Sequence, residues 1–250
     1  MLYYILDHPI AIFVTSFLMQ CAAAYFGDIL RRKTGRPDRN DFTTILPAAL
    51  TLLALVVGFS FSMAVNRYDQ RKNYEEEEAN AIGTEYARAD LLPAAQAAQL
   101  RQLLAKYVEE RIQFYEMRND AQLQLINADT AKLQSALWSA VTGPAMAQPT
   151  PVAALVVSGM NDVLNSQGYT QAAWWNRVPL GAWTLMIFVA LACNFLLGYS
   201  EQHNRRMTLI VFPLILTVPF ALIADIDSPR GGIIRVLPQN LIAVVQGLPR

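Results

Sequence analysis

The chain has 250 residues, of which 54% are apolar and only 16% are charged. Soluble domains carry roughly 25% charged residues, so this composition argues against an ordinary soluble globular protein and against intrinsic disorder. The 20 basic and 20 acidic residues balance, so no nucleic-acid partner is expected, and two cysteines cannot build a disulfide scaffold. A membrane protein is the class that remains.

Four stretches without Asp, Glu, Lys or Arg are long enough to cross a membrane. A helix needs about 20 residues to span ~30 Å of hydrocarbon, and a backbone inside lipid must satisfy its own hydrogen bonds. We therefore predict four transmembrane helices, at Pro9–Gly27, Thr43–Asn66, Val178–Ser200 and Met207–Ala224.

A fifth uncharged stretch, Leu133–Asn161, does not qualify as a span. It contains Gly143, Pro144, Pro149 and Pro151, and proline and glycine interrupt helices. We interpret it as the end of one helix, a proline-rich loop and the start of another helix.

The segment between the second and third spans has a helical pattern. Its apolar residues recur every three or four positions, at Leu100, Leu103, Leu104, Tyr107, Val108, Ile112 and Tyr115. The predicted fold class is an all-α membrane protein with four transmembrane helices and a helical extramembrane domain inserted between the second and third. The predicted segments are transmembrane helices 1 and 2 (1–66), the extramembrane domain (67–179), transmembrane helices 3 and 4 (180–226) and a C-terminal tail (227–250).

The second span is predicted to continue far beyond the membrane, because only single glycines interrupt the residues from Ala48 to Leu92. A helix of that length reaches ~65 Å. At 100° per residue, twelve side chains fall within one sector of this helix: Thr51, Leu55, Gly58, Phe59, Ser62, Asn66, Asp69, Asn73, Glu76, Glu77, Asn80 and Thr84. We call these positions the α2 stripe, where α2 stands for this second predicted helix.

The α2 stripe has two interpretations. It could line a water-filled conduit in an oligomer, where an apolar constriction gates by dewetting and carboxylates attract cations. Alternatively, its polar residues beyond the membrane simply face water, and Gly58 and Ser62 are small residues for helix packing.

Outside the α2 stripe, the sequence contains few candidate catalytic or metal-binding residues. The four adjacent carboxylates from Glu75 to Glu78 point around the whole helix, so we expect a solvated charge run rather than a metal site. No metal site or cofactor is predicted, because the two histidines are single. No enzyme motif is found, so an enzyme is disfavoured. Asp225 and Asp227, near the end of the fourth span, are either functional carboxylates or a helix end at the interface.

Two segments resemble a known family. The stretch Gly58–Asp69 resembles the second transmembrane helix of bestrophins, where a Gly-Phe pair precedes an Arg-aromatic cluster, here Arg67 and Tyr68. The stretch Glu78–Thr84, which includes Gly83, is similar to the bacterial bestrophin-like family, a domain of unknown function. The resemblance extends from about residue 45 to residue 240.

Bestrophins are pentameric ion channels whose second helix lines the pore, and the resemblance implies the same fold here. By position, the apolar neck is Thr51, Leu55 and Phe59, of which Thr51 departs from the apolar pattern. Ser62 and Asn66 then continue the predicted pore, and the predicted vestibule is formed by Asp69, Asn73, Glu76, Glu77 and Asn80. Bestrophins bind calcium after the fourth span. Because residues 230–234 hold no carboxylate, we expect no calcium site here.

The leading hypothesis is a homopentameric channel that passes monovalent ions down their gradient without a cofactor. The family suggests chloride or other anions, whereas carboxylates on the α2 stripe favour cations. Membrane lipids and inorganic ions are the other expected partners. The alternative is a non-conducting membrane scaffold or sensor whose helical domain binds a protein partner. The expected location is the bacterial inner membrane, as a multi-pass protein.

The sidedness of residues 67–179 stays open. If the amino terminus is outside, seven basic residues lie in the cytoplasmic loops and three in the opposite tail, which places the helical domain outside by the positive-inside rule. Counting four further basic residues beside the membrane makes both sides equal, and bestrophins place this domain in the cytoplasm. The loop and tail residues are Arg31, Arg32, Lys33, Arg36, Arg39, Arg205, Arg206, Arg230, Arg235 and Arg250.

Overall fold

Helices make up the regular structure in the computed structural model, which describes residues 8–34, 39–200 and 207–247. Arg36, Arg205, Arg206 and Arg250, from the sidedness count, lie outside these ranges. The α-helices in the described ranges are α1 (Pro9–Thr34), α2 (Arg39–Arg88), α3 (Ala94–Glu116), α4 (Asp120–Ala147), α5 (Pro151–Trp175), α6 (Leu180–Ser200), α7 (Phe212–Asp227) and α8 (Gln239–Gly247). The prediction of an all-α fold is confirmed.

Four helical stretches are long and apolar enough to cross a membrane. They are Pro9–Thr34, Thr44–Leu91, Pro151–Ser200 and Leu209–Asp227. The predicted four spans coincide with the apolar parts of these stretches, so the chain is a membrane protein. The uncharged stretch Leu133–Asn161 does break into two helices, although the break falls at residues 148–150 and Pro144 lies inside the last turn of α4.

The helix α2 is 50 residues long, or ~75 Å. It begins at Arg39, a few residues before the predicted span at Thr43, and it contains Pro47. The Thr51 hydroxyl donates to the Pro47 carbonyl oxygen at 2.8 Å, so its proton is used within the helix. The helix ends through a 3-10 turn before Pro93, where Leu92 has the extended backbone that a following proline favours.

Capping residues explain two of the other helix starts. The Asn119 side chain accepts from the N–H groups of Ala121 and Gln122 at 2.9 and 3.1 Å, which starts α4. The Thr150 hydroxyl accepts from the Ala153 N–H at 3.1 Å, and Pro151 occupies the first turn of α5.

The chain divides into two compact units, formed by residues 1–68 with 177–235 and by residues 69–176 with 236–250. The first unit contains α1, the beginning of α2, α6 and α7. Its apolar core joins α2, α6 and α7 through buried residues that include Leu53, Trp183, Met186, Phe220 and Ile223.

Three buried polar side chains of this first unit form a hydrogen-bond network. The Gln20 amide donates to Thr217 Oγ1 at 3.1 Å, and the Asn194 amide donates to Gln20 Oε1 at 3.1 Å. All three side chains are buried. Polar bonds of this kind join α1, α6 and α7, because an apolar solvent offers the groups no other partner.

Two glycines allow α1 and α6 to approach closely. A Cβ at Gly198 would lie 2.0 Å from the Ala24 carbonyl oxygen, and a Cβ at Gly27 would lie 2.2 Å from the Phe195 carbonyl oxygen. Both obstacles are backbone atoms, which cannot rotate away. The small residues therefore set the distance between these helices.

Gly198→Ala is expected to destabilise the first unit by about 1–3 kcal/mol or more, because the added methyl group must separate two backbones. Thermal unfolding in detergent, followed by the loss of the helical circular dichroism signal, measures this change. Gly181→Ala on the same helix is the matched control, since a Cβ there meets no atom within 4 Å. Equal stability of the two variants would contradict the close-packing argument.

The second unit contains the remainder of α2 with α3, α4, α5 and α8. Of the seven periodic residues predicted to face a helical core, Leu100, Leu104, Tyr107, Val108 and Tyr115 are buried, and the other two are half-buried. Phe114 and Trp174 meet edge to face with ring centroids 5.0 Å apart. The helical periodicity therefore identified the packed face of α3.

Candidate functional site

The part of the α2 stripe within the first unit is exposed at every position. Leu55 and Phe59 leave 54% and 64% of their surfaces uncovered. Leu53, Ser60 and Ala64, on the opposite face, are buried. The helix thus has one face packed against its own chain and one face without a neighbour in the described part of the chain.

The part of the α2 stripe within the second unit is also exposed. Asp69, Asn73, Glu76, Glu77 and Asn80 are exposed, and their side chains make no hydrogen bond or ion pair with the described residues. The exposed Lys72 lies on the flank of this row. The row presents carboxylate and amide oxygens that are available to water and ions.

The residues of the family motif have different surroundings. Gly58 is exposed, and a Cβ there would meet no atom within 4 Å. Tyr68 is half-buried and packs against the core of the first unit, and Arg67 is half-buried. Gly83 faces the Val244 side chain, 3.8 Å from the position of its missing Cβ. Packing within one chain therefore accounts for Tyr68 and Gly83 but not for Gly58.

The prediction of a solvated charge run from Glu75 to Glu78 is wrong for its two ends. Glu76 and Glu77 are exposed, but Glu75 and Glu78 are 1% and 0% exposed. The physical reason is that donors from other helices surround these two carboxylates and replace their hydration.

Glu78 is the centre of a buried polar cluster in the second unit. It pairs with the Arg111 guanidinium at 2.5 Å, and it accepts from the Thr170 hydroxyl at 3.0 Å and the Tyr115 hydroxyl at 3.3 Å. Burial, and then the Glu78 charge, raise the pKa of Tyr107 and Tyr115 above their ordinary value. Both phenols therefore stay protonated, and Tyr115 remains a donor to Glu78.

The Glu75 carboxylate binds the beginning of α8. It accepts from the backbone N–H groups of Asn240 and Leu241 at 2.9 and 3.0 Å and from the Asn240 amide at 2.6 Å. A carboxylate at this place satisfies orphan donors of the first turn of α8 and interacts favourably with the helix dipole. Glu75 and Glu78 thus connect helices of the second unit, while Glu76 and Glu77 have no hydrogen-bond or ion-pair partner among the described residues.

Glu85 is a buried carboxylate that the sequence analysis did not single out. Both of its oxygens lack a hydrogen-bond partner among the described residues, and Arg88 Nη1 lies 4.0 Å away. A Cβ at Gly159 would lie 2.0 Å from Glu85 Oε2. Glu75, Glu78 and Glu85 share the face opposite the α2 stripe, and this helical spacing is the signal that could have identified it.

The stability of the second unit is expected to fall as the pH rises from about 5 to 8, because burial raises the pKa of Glu85 from 4.5 to about 8. Over this range Glu85 is protonated in the folded chain and ionised in the unfolded chain. Folding therefore takes up a proton, and the free energy of unfolding decreases as the pH rises. Glu85→Gln should flatten the fall in unfolding temperature over this range. Glu109→Gln, an exposed position on α3, is the control, and an unchanged pH profile in Glu85→Gln would contradict the assignment.

Asp225 and Asp227 bind backbone N–H groups in the first unit. Asp225 accepts from Ile233 and Ile234 at 2.7 and 2.8 Å, and Asp227 accepts from Val178 at 2.9 Å. These bonds fix the turn that follows α7 and the entry into α6. Both carboxylates therefore stabilise the backbone of the segments that surround the end of α7.

Comparison with known proteins identifies the fold. A family model described as the Bestrophin-like domain matches residues 14–241. A structure of a bacterial bestrophin homologue from Klebsiella pneumoniae aligns with a TM-score of 0.69 at 13% identity, covering 94% of this chain and 97% of that chain.

Two further structures have the same fold. Another structure of the Klebsiella pneumoniae homologue has a TM-score of 0.65 at 16% identity, covering 96% of this chain and 99% of that chain. A structure described as a membrane protein has a TM-score of 0.66 at 14% identity, with the same two coverages. No curated protein matches the chain significantly in sequence.

Proposed function

The chain belongs to the bestrophin-like family, and from this premise we propose that it forms a homopentameric channel that passes monovalent ions down their gradient. The observation that carries the proposal is the α2 stripe, which is exposed at all of its positions. Ser62 and Asn66 lie within the predicted span, where a polar side chain facing lipid is costly. Five such faces around a common axis give these side chains water instead.

The constriction of this pore is proposed at Leu55 and Phe59. They are one helical turn apart on the unpartnered face of α2. Rings of five leucine and five phenylalanine side chains form an apolar neck that gates by dewetting. Thr51 adds a more polar ring, although its hydroxyl group donates a hydrogen bond to the Pro47 carbonyl oxygen.

The vestibule is proposed to favour cations. Asp69, Glu76 and Glu77 are exposed without an ion-pair partner in the described chain, and five copies of each concentrate negative charge along one path. Lys72 on the flank opposes this field only in part. Rings of carboxylates are the usual device of cation pores.

Reconstitution of the purified protein into liposomes tests the proposal. A monovalent-ion gradient should collapse through the protein, and native mass spectrometry should give five subunits. A monomer or two-fold dimer without flux would instead favour a membrane scaffold or sensor. The proposed location is the bacterial inner membrane, which fractionation of the expressing cells checks directly.

Charge reversal in the vestibule is expected to lower the cation-to-anion permeability ratio. Glu76→Lys replaces five negative charges by five positive ones, and ~1 kcal/mol of changed ion energy gives about a fivefold shift. The effect should shrink at high salt. Reversal potentials in planar bilayers measure it, with Glu109→Lys on α3 as the control. A ratio unchanged by Glu76→Lys would count against this vestibule.

A further inference from the structure

The end of α2 packs against the beginning of α5 in the second unit, and the Glu85 side chain is buried at this contact. Glu85 is 0% exposed, and both of its oxygens lack a hydrogen-bond partner among the described residues. Arg88 follows three residues later, but its Nη1 atom is 4.0 Å from Glu85 Oε2 and donates instead to the Leu155 carbonyl oxygen at 3.4 Å. The arginine thus bonds across the helix pair and leaves the adjacent carboxyl group without a donor.

Gly159 on α5 provides the space for both side chains. A Cβ at this position would lie 2.0 Å from Glu85 Oε2 and 2.2 Å from Arg88 Nη1. The carboxyl and guanidinium groups therefore lie directly over the same glycine. Both are the ends of side chains with several rotatable bonds, so a change of partner between them requires side-chain rotation and no movement of the α2 backbone.

The surroundings of Glu85 favour its neutral form. Burial raises the pKa of its carboxyl group, Arg88 on α2 lowers it, and Asp162 on α5 raises it further. In the turn after α2, Asp90 is paired with Arg101 of α3, and α8 has no ionisable side chain. The geometry agrees with a neutral Glu85, because a carboxylate ion at this place would lack the donors that a buried charge requires.

We propose that Glu85 and Arg88 form a pH-dependent switch between α2 and α5, in which Arg88 binds the Leu155 carbonyl while Glu85 is protonated and binds the Glu85 carboxylate once that proton has passed to water. Side chains three residues apart on a helix are within reach of each other. A hydrogen bond between two charged groups is stronger than one to a neutral carbonyl. The Leu155 carbonyl can give up Arg88, since it also belongs to the backbone ladder of α5. This switch does not depend on ion conduction.

Hydrogen–deuterium exchange of the purified full chain, read by mass spectrometry between about pH 6 and pH 9.5, tests the switch. Rates are divided by the intrinsic exchange rate at each pH, so that only changes in protection remain. Protection of residues 151–158, at the start of α5, should fall about fivefold as Glu85 ionises, the effect of one net hydrogen bond lost between the helices. Residues 120–127, at the equally capped start of α4, are the internal control and should keep their protection.

Three variants identify the groups involved. Glu85→Gln keeps a neutral side chain of the same size, so residues 151–158 should stay protected over the whole pH range. Arg88→Met removes the donor, so protection there should be low already at pH 6 and independent of pH. Glu109→Gln, at an exposed position on α3, is the matched control and should behave like the wild type.

Asp162→Asn keeps the test decisive if Glu85→Gln does not fold, because Asp162 is exposed. Removing its negative charge lowers the pKa of Glu85, so the loss of protection should move to lower pH. A pH-dependent loss that survives in Arg88→Met overturns the proposal, because the guanidinium would then not be the group that changes partner. Constant protection of residues 151–158 in the wild type, or an equal loss in residues 120–127, overturns it as well.

Discussion

Replacing Phe59 with alanine is expected to raise monovalent-ion flux through the reconstituted protein by about tenfold. The side chain lies on the exposed face of α2 and leaves 64% of its surface free, so five copies narrow the proposed neck. Removing the rings widens and wets the constriction. A barrier lowered by ~1.4 kcal/mol raises the rate tenfold. Flux from liposomes loaded to equal protein density measures the change.

Phe61→Ala is the matched control for this experiment. It removes the same side chain from the same helix, but Phe61 lies about 160° around α2 from Phe59 at 100° per residue. We expect the control to conduct like the wild type. An equal rise in both variants would indicate loosened packing, and no rise in Phe59→Ala would place the constriction elsewhere.

Leu55→Ala is expected to raise flux by a smaller factor, because one ring of leucine is less bulky than one of phenylalanine. If the two rings form one continuous neck, the double variant should exceed either single one. Native mass spectra of each variant must still give the wild-type subunit count, since a change of assembly would alter flux by another route.

The membrane architecture could be predicted from the sequence because its causes are local. A span needs only a run of uncharged residues of the right length, and the break between α4 and α5 follows from the prolines between residues 144 and 151. The exposed face of α2 likewise follows from 100° periodicity, and every position of the α2 stripe is exposed. The α-helical part of α2 begins before Ala48, because Pro47 lies inside the helix, and it ends at Arg88, before the 3-10 turn that precedes Pro93.

The inward carboxylates could not be predicted, because their partners are distant in sequence. Glu78 bonds to residues 33, 37 and 92 positions away, and Glu75 bonds to the start of α8, 165 positions away. Four consecutive glutamates resemble a solvated run until the donors are known. Helix geometry nevertheless predicts that Glu75 to Glu78 point to different sides of α2, because at most two of four consecutive residues share a face.

Breaking the Glu78–Arg111 pair is expected to cost about 3–5 kcal/mol of unfolding free energy, a large share of the ~5–15 kcal/mol that stabilises a typical domain. Both side chains are fully buried, so Arg111→Met leaves the Glu78 carboxylate in a low-dielectric interior with only hydroxyl partners. Glu78→Gln leaves the Arg111 guanidinium without its counter-charge. Either single variant should therefore lower the thermal unfolding temperature steeply.

The double variant distinguishes the effect of charge pairing from the effect of altering two buried side chains. With Glu78→Gln and Arg111→Met together, no uncompensated charge remains, so the loss should be smaller than the sum of the two single losses. Arg101→Met provides the matched surface control. Its partner Asp90 is at the same 2.5 Å distance, but that carboxylate is 73% exposed, so the expected loss is at most ~1 kcal/mol. Additive losses at Glu78 and Arg111 would mean that packing, rather than charge pairing, makes these positions sensitive.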